Sequence, residues 1–244
     1  SNSCDGTRRG KRRRRRLMPS RPDGIGRKRK RDDQGRLVCE GHVLHLANCL
    51  SPRDLGALDA YLSSSEVQAN LQEAVLHDSW AAQYKSRRCD SAWVTLGEMP
   101  GARKLKRAVK EAQDVWDVLP RTRRGVIRCN YEDVQYTEYR GDDGAHFQQW
   151  HLDADADGTD EEDKRELTVV ALLSEPGADF QGGAFECMVP TYPDGVTHAL
   201  HWHKGDVIVF KAKVLWHRVL PTTAGMRKTL VLWAKPPDPQ QSCA

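Results

Sequence analysis

Residues 151–164 read HLDADADGTDEEDK, and two metal chemistries compete for them. From Asp153 the stretch is D-x-D-x-D-G, the front half of a calcium loop, with Asp153, Asp155 and Asp157 as oxygen ligands and Gly158 at the sharp turn. Such a loop needs a bidentate glutamate at its twelfth position. That position is Lys164, a cation, and the eighth, ordinarily apolar, is Asp160. The preceding YRGDDGAHFQQW carries glycines and aromatics without helical spacing, so calcium is rejected. From His151 the stretch is H-x-D. On a strand spanning 147–153, His151 and Asp153 would project to one face, because strand side chains alternate. An imidazole beside a carboxylate supplies two corners of a 2-His-1-carboxylate iron site, which leaves coordination positions open for substrates.

The third ligand should be a histidine on a later strand, and His198, His201, His203 and His217 are available. The first three, in THALHWHKGD, have metal-like H-x-H spacing but read as rim residues ahead of the Gly205-Asp206 turn. His217 is set apart by its downstream neighbours. Ten residues on, past Gly225, Arg227 opens the run RKTLVLW, and an arginine there would point into the same cavity. Its planar fork suits a carboxylate. Thr229 shares the arginine's face and could add a hydroxyl bond. A buried histidine is more often a packed core residue, and a lone arginine more often a surface charge. The ordered conjunction is what points to chemistry.

That conjunction resembles the Fe(II)/2-oxoglutarate-dependent dioxygenases, and within them the prolyl-4-hydroxylase-like group. The resemblance spans 136–234. It takes in Tyr139 before a Gly-rich turn, H-x-D at 151–153, Gly182-Gly183-Ala184-Phe185, Gly205-Asp206 before VIVF, H-x-x-x-P at 217–221 and G-x-R at 225–227. It implies a double-stranded β-helix (jelly-roll) core with Fe(II) on His151, Asp153 and His217. It also implies that Arg227 pairs with the distal carboxylate of 2-oxoglutarate, that Tyr139 hydrogen-bonds the same group, and that dioxygen is consumed, with ascorbate as an accessory reductant. Relatives often carry a further tyrosine in the strand after the acidic loop. Here that strand is LTVVALLSE, so the contact is lost or replaced, with Thr168 the nearest candidate. The implied reaction hydroxylates a C–H bond, foremost in a prolyl or other protein residue. A nucleic-acid base is the second reading, although the R-x₅-R of such demethylases fails because Trp233 stands where the second arginine belongs. A small metabolite comes third, and a non-catalytic nuclear binding module that keeps the fold is the reading from another class.

The elements that must position these groups are mainly β with flanking helices. From residue 124 the chain offers GVIRCNY, VQYTEY, LTVVALL, GAFECMV, DVIVF and KTLVLWA, short β-rich runs broken by Gly, Pro and Asp, and this core is expected over 124–238. Residues 37–123 read as a mainly helical support region that opens with a strand. Ser51-Pro52 supplies an N-cap and first-turn proline for one helix. Leu105, Val109, Ala112, Val115, Trp116 and Leu119 have helical spacing over 103–119, with Pro120 as the stop.

Residues 1–36 carry 15 Lys/Arg against 4 Asp/Glu, including KRRRRRL and RKRKR, while the rest carries 23 against 30. Such a segment cannot bury a core and is expected to be disordered. Two basic clusters joined by a Gly/Pro-rich stretch predict a nuclear location through an import receptor, with a nucleic-acid tether as the alternative. The seven cysteines are scattered without a C-x-x-C pair, which argues against a disulfide framework or zinc ribbon. No apolar run is long enough for a membrane helix.

Overall fold

The computed structural model of the protein describes residues 35–74 and 87–237. The basic clusters at 11–16 and 27–31 lie outside the described residues. In chain order the elements are β1 (Arg36–Val38), β2 (Val43–Leu46), α1 (Pro52–Leu62), α2 (Ser65–Ala69), β3 (Gln72–Glu73), β4 (Arg87–Arg88), β5 (Asp90–Val94) and α3 (Ala102–Trp116). Next come β6 (Asn130–Tyr131), β7 (Val134–Arg140), β8 (His146–His151), β9 (Leu167–Leu172), β10 (Phe180–Gly182), β11 (Phe185–Val189) and β12 (Val196–Ala199). The last are β13 (Val207–Lys211), β14 (Trp216–Val219) and β15 (Thr222–Lys235).

The strands form two antiparallel sheets. The larger runs β1-β2-β13-β9-β15-β7-β5-β3, with β6 and β10 also on β15, and the smaller runs β12-β11-β14-β8-β4. Between them lies an apolar layer that includes Val170, Leu172, Ile208 and Phe210 from the larger sheet and Phe185 and Val219 from the smaller. The alternate residues Val169, Ala171, Val207, Val209, Leu230 and Leu232 face the other way. They pack with Leu58 and Leu62 of α1 and Leu105, Ala108, Val109 and Ala112 of α3. Strands covered on both faces need apolar residues at every position, which is why LTVVALL and DVIVF read as unbroken apolar runs. Two facing sheets with helices behind the larger one form the jelly-roll class that the sequence implies.

The support region contributes strands as well as helices. β1 and β2 extend the larger sheet beyond β13, and β5 pairs with β7. α1 begins as Ser51-Pro52 predicts. The Ser51 hydroxyl accepts the Asp54 N–H, and the Asp54 carboxylate accepts the Ser51 N–H, a reciprocal capping box. α3 stops earlier than its apolar spacing suggests. It ends at Trp116, Asp117 turns left-handed, and the fully buried Gln113 side chain closes the end by bonding both the N–H and the C=O of Leu119 at 2.7 Å. GVIRCNY also shortens to the two residues of β6.

Candidate active site

β8 and β14 are neighbours in the smaller sheet, and their register sets His151 opposite His217. β8 ends at His151, so the expected strand through 153 does not form. Asp153 lies on the turn beyond, anchored by its N–H to the Ala212 carbonyl at 3.2 Å. The turn, rather than strand alternation, brings its carboxylate to the histidines. His Nε2 to Asp153 Oδ1 is 4.0 Å for His151 and 3.7 Å for His217. One ligand atom from each of the three residues lies within 4.8 Å of the others, and among the described residues no other group of three potential ligands is gathered this way.

The hydrogen bonds behind the cluster aim it. His151 Nδ1 lies 3.0 Å from the Gln149 carbonyl, and His217 Nδ1 lies 3.0 Å from the Leu215 carbonyl. A carbonyl only accepts, so each Nδ1 carries a proton and each ring turns its Nε2 to the cluster. Burial, reinforced by His217, pushes the His151 pKa down to about 3, which keeps that ring neutral. Burial pushes the Asp153 carboxyl up, but His217, His151 and the Thr168 hydroxyl outweigh it and hold it below the usual carboxylate range. Two imidazole lone pairs and one carboxylate facing a common point fit a divalent iron with open positions.

Arg227 lies on the same cavity. It is 1 % exposed, and its Nε and Nη2 have no hydrogen-bond partner among the described residues. Its Cζ is 5.1 Å from the Tyr139 ring and 5.8 Å from the Trp202 ring. Burial lowers its pKa, against the pull of Tyr139 and Cys89. A guanidinium still keeps its charge in a protein, so this is a buried cation with donors to spare, the complement of a carboxylate. Tyr139 is 5 % exposed and pairs with Arg227 across β7 and β15. Burial is the main cause that raises its hydroxyl pKa to about 12, so it stays protonated. Two glycines make room. At Gly225, with φ +67°, a Cβ would run into the Asp179 carbonyl, and at Gly183 a Cβ would lie 2.9 Å from Arg227 Cδ.

His151, Asp153, His217, Tyr139, Arg227 and Thr229 all line one open cleft of about 910 Å³, so the structure brings these six candidates to one place. Thr168 also lines it, but not as a substitute for the missing tyrosine: its hydroxyl donates to Asp153 Oδ2 at 2.6 Å. Among the cleft residues that the sequence reading missed are two arginines. Arg165 holds Glu132 through both carboxylate oxygens at 2.9 and 2.7 Å, stacks on the Trp233 ring at 4.0 Å and reaches the Asp153 carbonyl at 3.3 Å. Arg87 bonds Gln135 Oε1 at 3.0 Å and stands over Phe147. Neither has a spacing signal, because both partners lie far off in sequence. The remaining histidines stand apart from the ligand cluster. His203 is exposed and pairs with Glu175, and His198 Nε2 lies 3.7 Å from Glu40. Asp206 of the Gly-Asp turn is structural, accepting the N–H groups of Asn48 and His203 at 2.7 and 2.9 Å. In the acidic loop Asp163 accepts the N–H groups of Asp155 and Asp160, and Lys164 pairs with Glu161.

Residues 134–235 match the 2OG-Fe(II) oxygenase superfamily. This segment is a 2OG-Fe(II) oxygenase domain. No curated protein matches the chain. Among solved structures, a Pseudomonas putida prolyl-4-hydroxylase is similar at 19 % identity and a TM-score of 0.58, covering 80 % of this chain and 93 % of that one. The viral collagen prolyl hydroxylase of Paramecium Bursaria Chlorella virus-1, in a 2OG complex, has 21 % identity and a TM-score of 0.57, covering 82 % and 99 %. A Trichoplax adhaerens prolyl hydroxylase in complex with a hypoxia inducible factor peptide fragment has 18 % identity and a TM-score of 0.56, covering 80 % and 83 %. At these identities the likeness establishes the fold.

Proposed function

We propose that the chain hydroxylates a protein residue, foremost a proline, with His151, Asp153 and His217 holding Fe(II) and Arg227, Tyr139 and Thr229 holding 2-oxoglutarate. When bound, the iron supplies an oxidation in which dioxygen and 2-oxoglutarate become succinate and carbon dioxide while one oxygen atom enters the substrate C–H bond. The chain's own residues orient and exclude. Arg227 and the neutral Tyr139 hydroxyl fix the distal carboxylate, and Thr229, two residues along β15, shares that wall. Val170, Phe185, Val219 and Val231 line the cleft with apolar surface and limit water. No side-chain general base is assigned.

The observation that carries the peptide reading is the frame of the cleft. Among the described residues β3 ends the larger sheet and β4 ends the smaller, and Gln72, Glu73 and Arg87 of these strands line the cleft. Edge strands offer unpaired backbone groups, and an extended peptide is the ligand that uses them. The co-crystallised peptide of the Trichoplax adhaerens relative agrees with this class. A nucleic-acid base is disfavoured because Trp233 fills the second-arginine position and Glu73 and Glu162 stand on the cleft. The test is succinate formation from 2-oxoglutarate with Fe(II), with and without a library of proline-containing peptides. Peptide-dependent stimulation with a mass gain of one oxygen atom is expected. Stimulation by methylated oligonucleotides and by no peptide would reverse the assignment.

The basic segment 1–36 is proposed as a nuclear-import element, on the strength of its charge against the acidic remainder. A full-length fluorescent fusion is expected in the nucleus and one lacking 1–36 in the cytoplasm. A cytoplasmic full-length fusion would refute the import reading. Tail-dependent duplex binding that weakens steeply with salt would favour the tether.

A further inference from the structure

We infer that Thr168 is a positioning residue that fixes the rotation of the Asp153 carboxylate and so limits it to one coordinating oxygen. The inference rests on His151, Asp153 and His217 being the metal ligands. The two oxygens of Asp153 are not equivalent. Oδ1 faces the Nε2 atoms of both histidines, at 4.0 and 3.7 Å, and Oδ2 is taken by the Thr168 hydroxyl at 2.6 Å. That distance is normal for the charge-assisted bond of a hydroxyl to a carboxylate.

The two residues stand on different supports. Asp153 is on a turn past the end of β8. Thr168 is fully buried on β9, between β13 and β15, opposite Phe210 on one side and Trp233 on the other. Its β-branched side chain has few rotamers to choose from. The hydroxyl therefore reaches from the packed larger sheet to a carboxylate whose backbone is anchored but whose side chain it alone holds at Oδ2, and it sets the angle. Without it Oδ2 is free to swing toward the ion beside Oδ1, and a second oxygen there would occupy a position the co-substrate needs.

Apo protein is titrated with Co(II) by calorimetry, and the absorption spectrum of the cobalt protein is recorded for wild type, Thr168→Val and Thr168→Ser. Loss of an outer-shell partner to a metal ligand costs about 10- to 100-fold in affinity or activity. Thr168→Val is expected to bind Co(II) at least about tenfold more weakly and to give a shifted spectrum, because the ligand field reports how many carboxylate oxygens bind. Thr168→Ser keeps the hydroxyl and should restore both. A valine variant with wild-type affinity and spectrum overturns the proposal, and so does one that only melts earlier. If the valine variant does not fold, Thr168→Ala is judged by the same two readouts. Failure of the wild type to take one Co(II) would instead overturn the ligand assignment beneath the proposal.

Discussion

His217→Ala is expected to abolish 2-oxoglutarate turnover while leaving a folded protein. His217 is the ligand on the wall of the cleft most tightly fixed by packing. Its ring centroid lies 5.4 Å from that of Phe185, 4.8 Å from that of Phe210 and 4.2 Å from that of His151. Removing it leaves one imidazole and one carboxylate, too few to hold the ion against water. Even an outer-shell partner is worth about 10- to 100-fold, so losing a ligand itself should exceed a hundredfold. The stability cost is smaller, about 1–3 kcal/mol for a truncated buried ring, because the sheets remain paired on both sides of β14. Succinate release and a thermal melt on the same preparation separate the two effects. Turnover within tenfold of wild type would exclude His217 as a ligand.

Arg227→Ala should weaken 2-oxoglutarate binding on the order of a hundredfold. The guanidinium is buried, with Nε and Nη2 unpartnered among the described residues, and truncating one member of a buried, hydrogen-bonded charge pair costs about 2–5 kcal/mol. Each 1.4 kcal/mol is about a factor of ten. Arg227→Lys should recover only part of the loss, since an ammonium is a point charge and cannot reproduce the fork. Calorimetric titration of Mn(II)-loaded protein with 2-oxoglutarate measures both variants. Unchanged affinity in the alanine variant would remove Arg227 from the co-substrate site. Metal binding without 2-oxoglutarate should be unaffected, which distinguishes this variant from His217→Ala.

The site was legible in the sequence where one strand carries several of its members. His217, Gly225, Arg227 and Thr229 come in order along β14 and β15, with Gly225 inside β15 where a turn was expected, and local spacing reports them. Asp153 was found for a reason the structure amends: H-x-D suggested a strand, whereas β8 ends at His151 and a turn completes the approach. Thr168 was assigned to the wrong partner because nothing in LTVVALL says which cleft oxygen its hydroxyl meets. Arg165 with Glu132, and Gln113 folding back on Leu119, are side-chain closures between distant or unpatterned positions. Periodicity cannot carry such information. The strands were more legible than their ends, since an apolar run marks a doubly covered strand but not where pairing stops.

The fourteen residues of β15 pair with β6, β7, β9 and β10. Arg227, Thr229 and Trp233 on it face the cleft, while β7, opposite, is made some ninety residues earlier (Tyr139 to Arg227). During synthesis β7 and β9 therefore emerge without the strand that lies between them, and their inward edges have no partner until β15 leaves the ribosome. Contacts this distant in sequence form slowly, and unpaired strand edges invite association with other chains. The enzyme is consequently most exposed to misassembly during translation, after β9 and before its own last strand arrives.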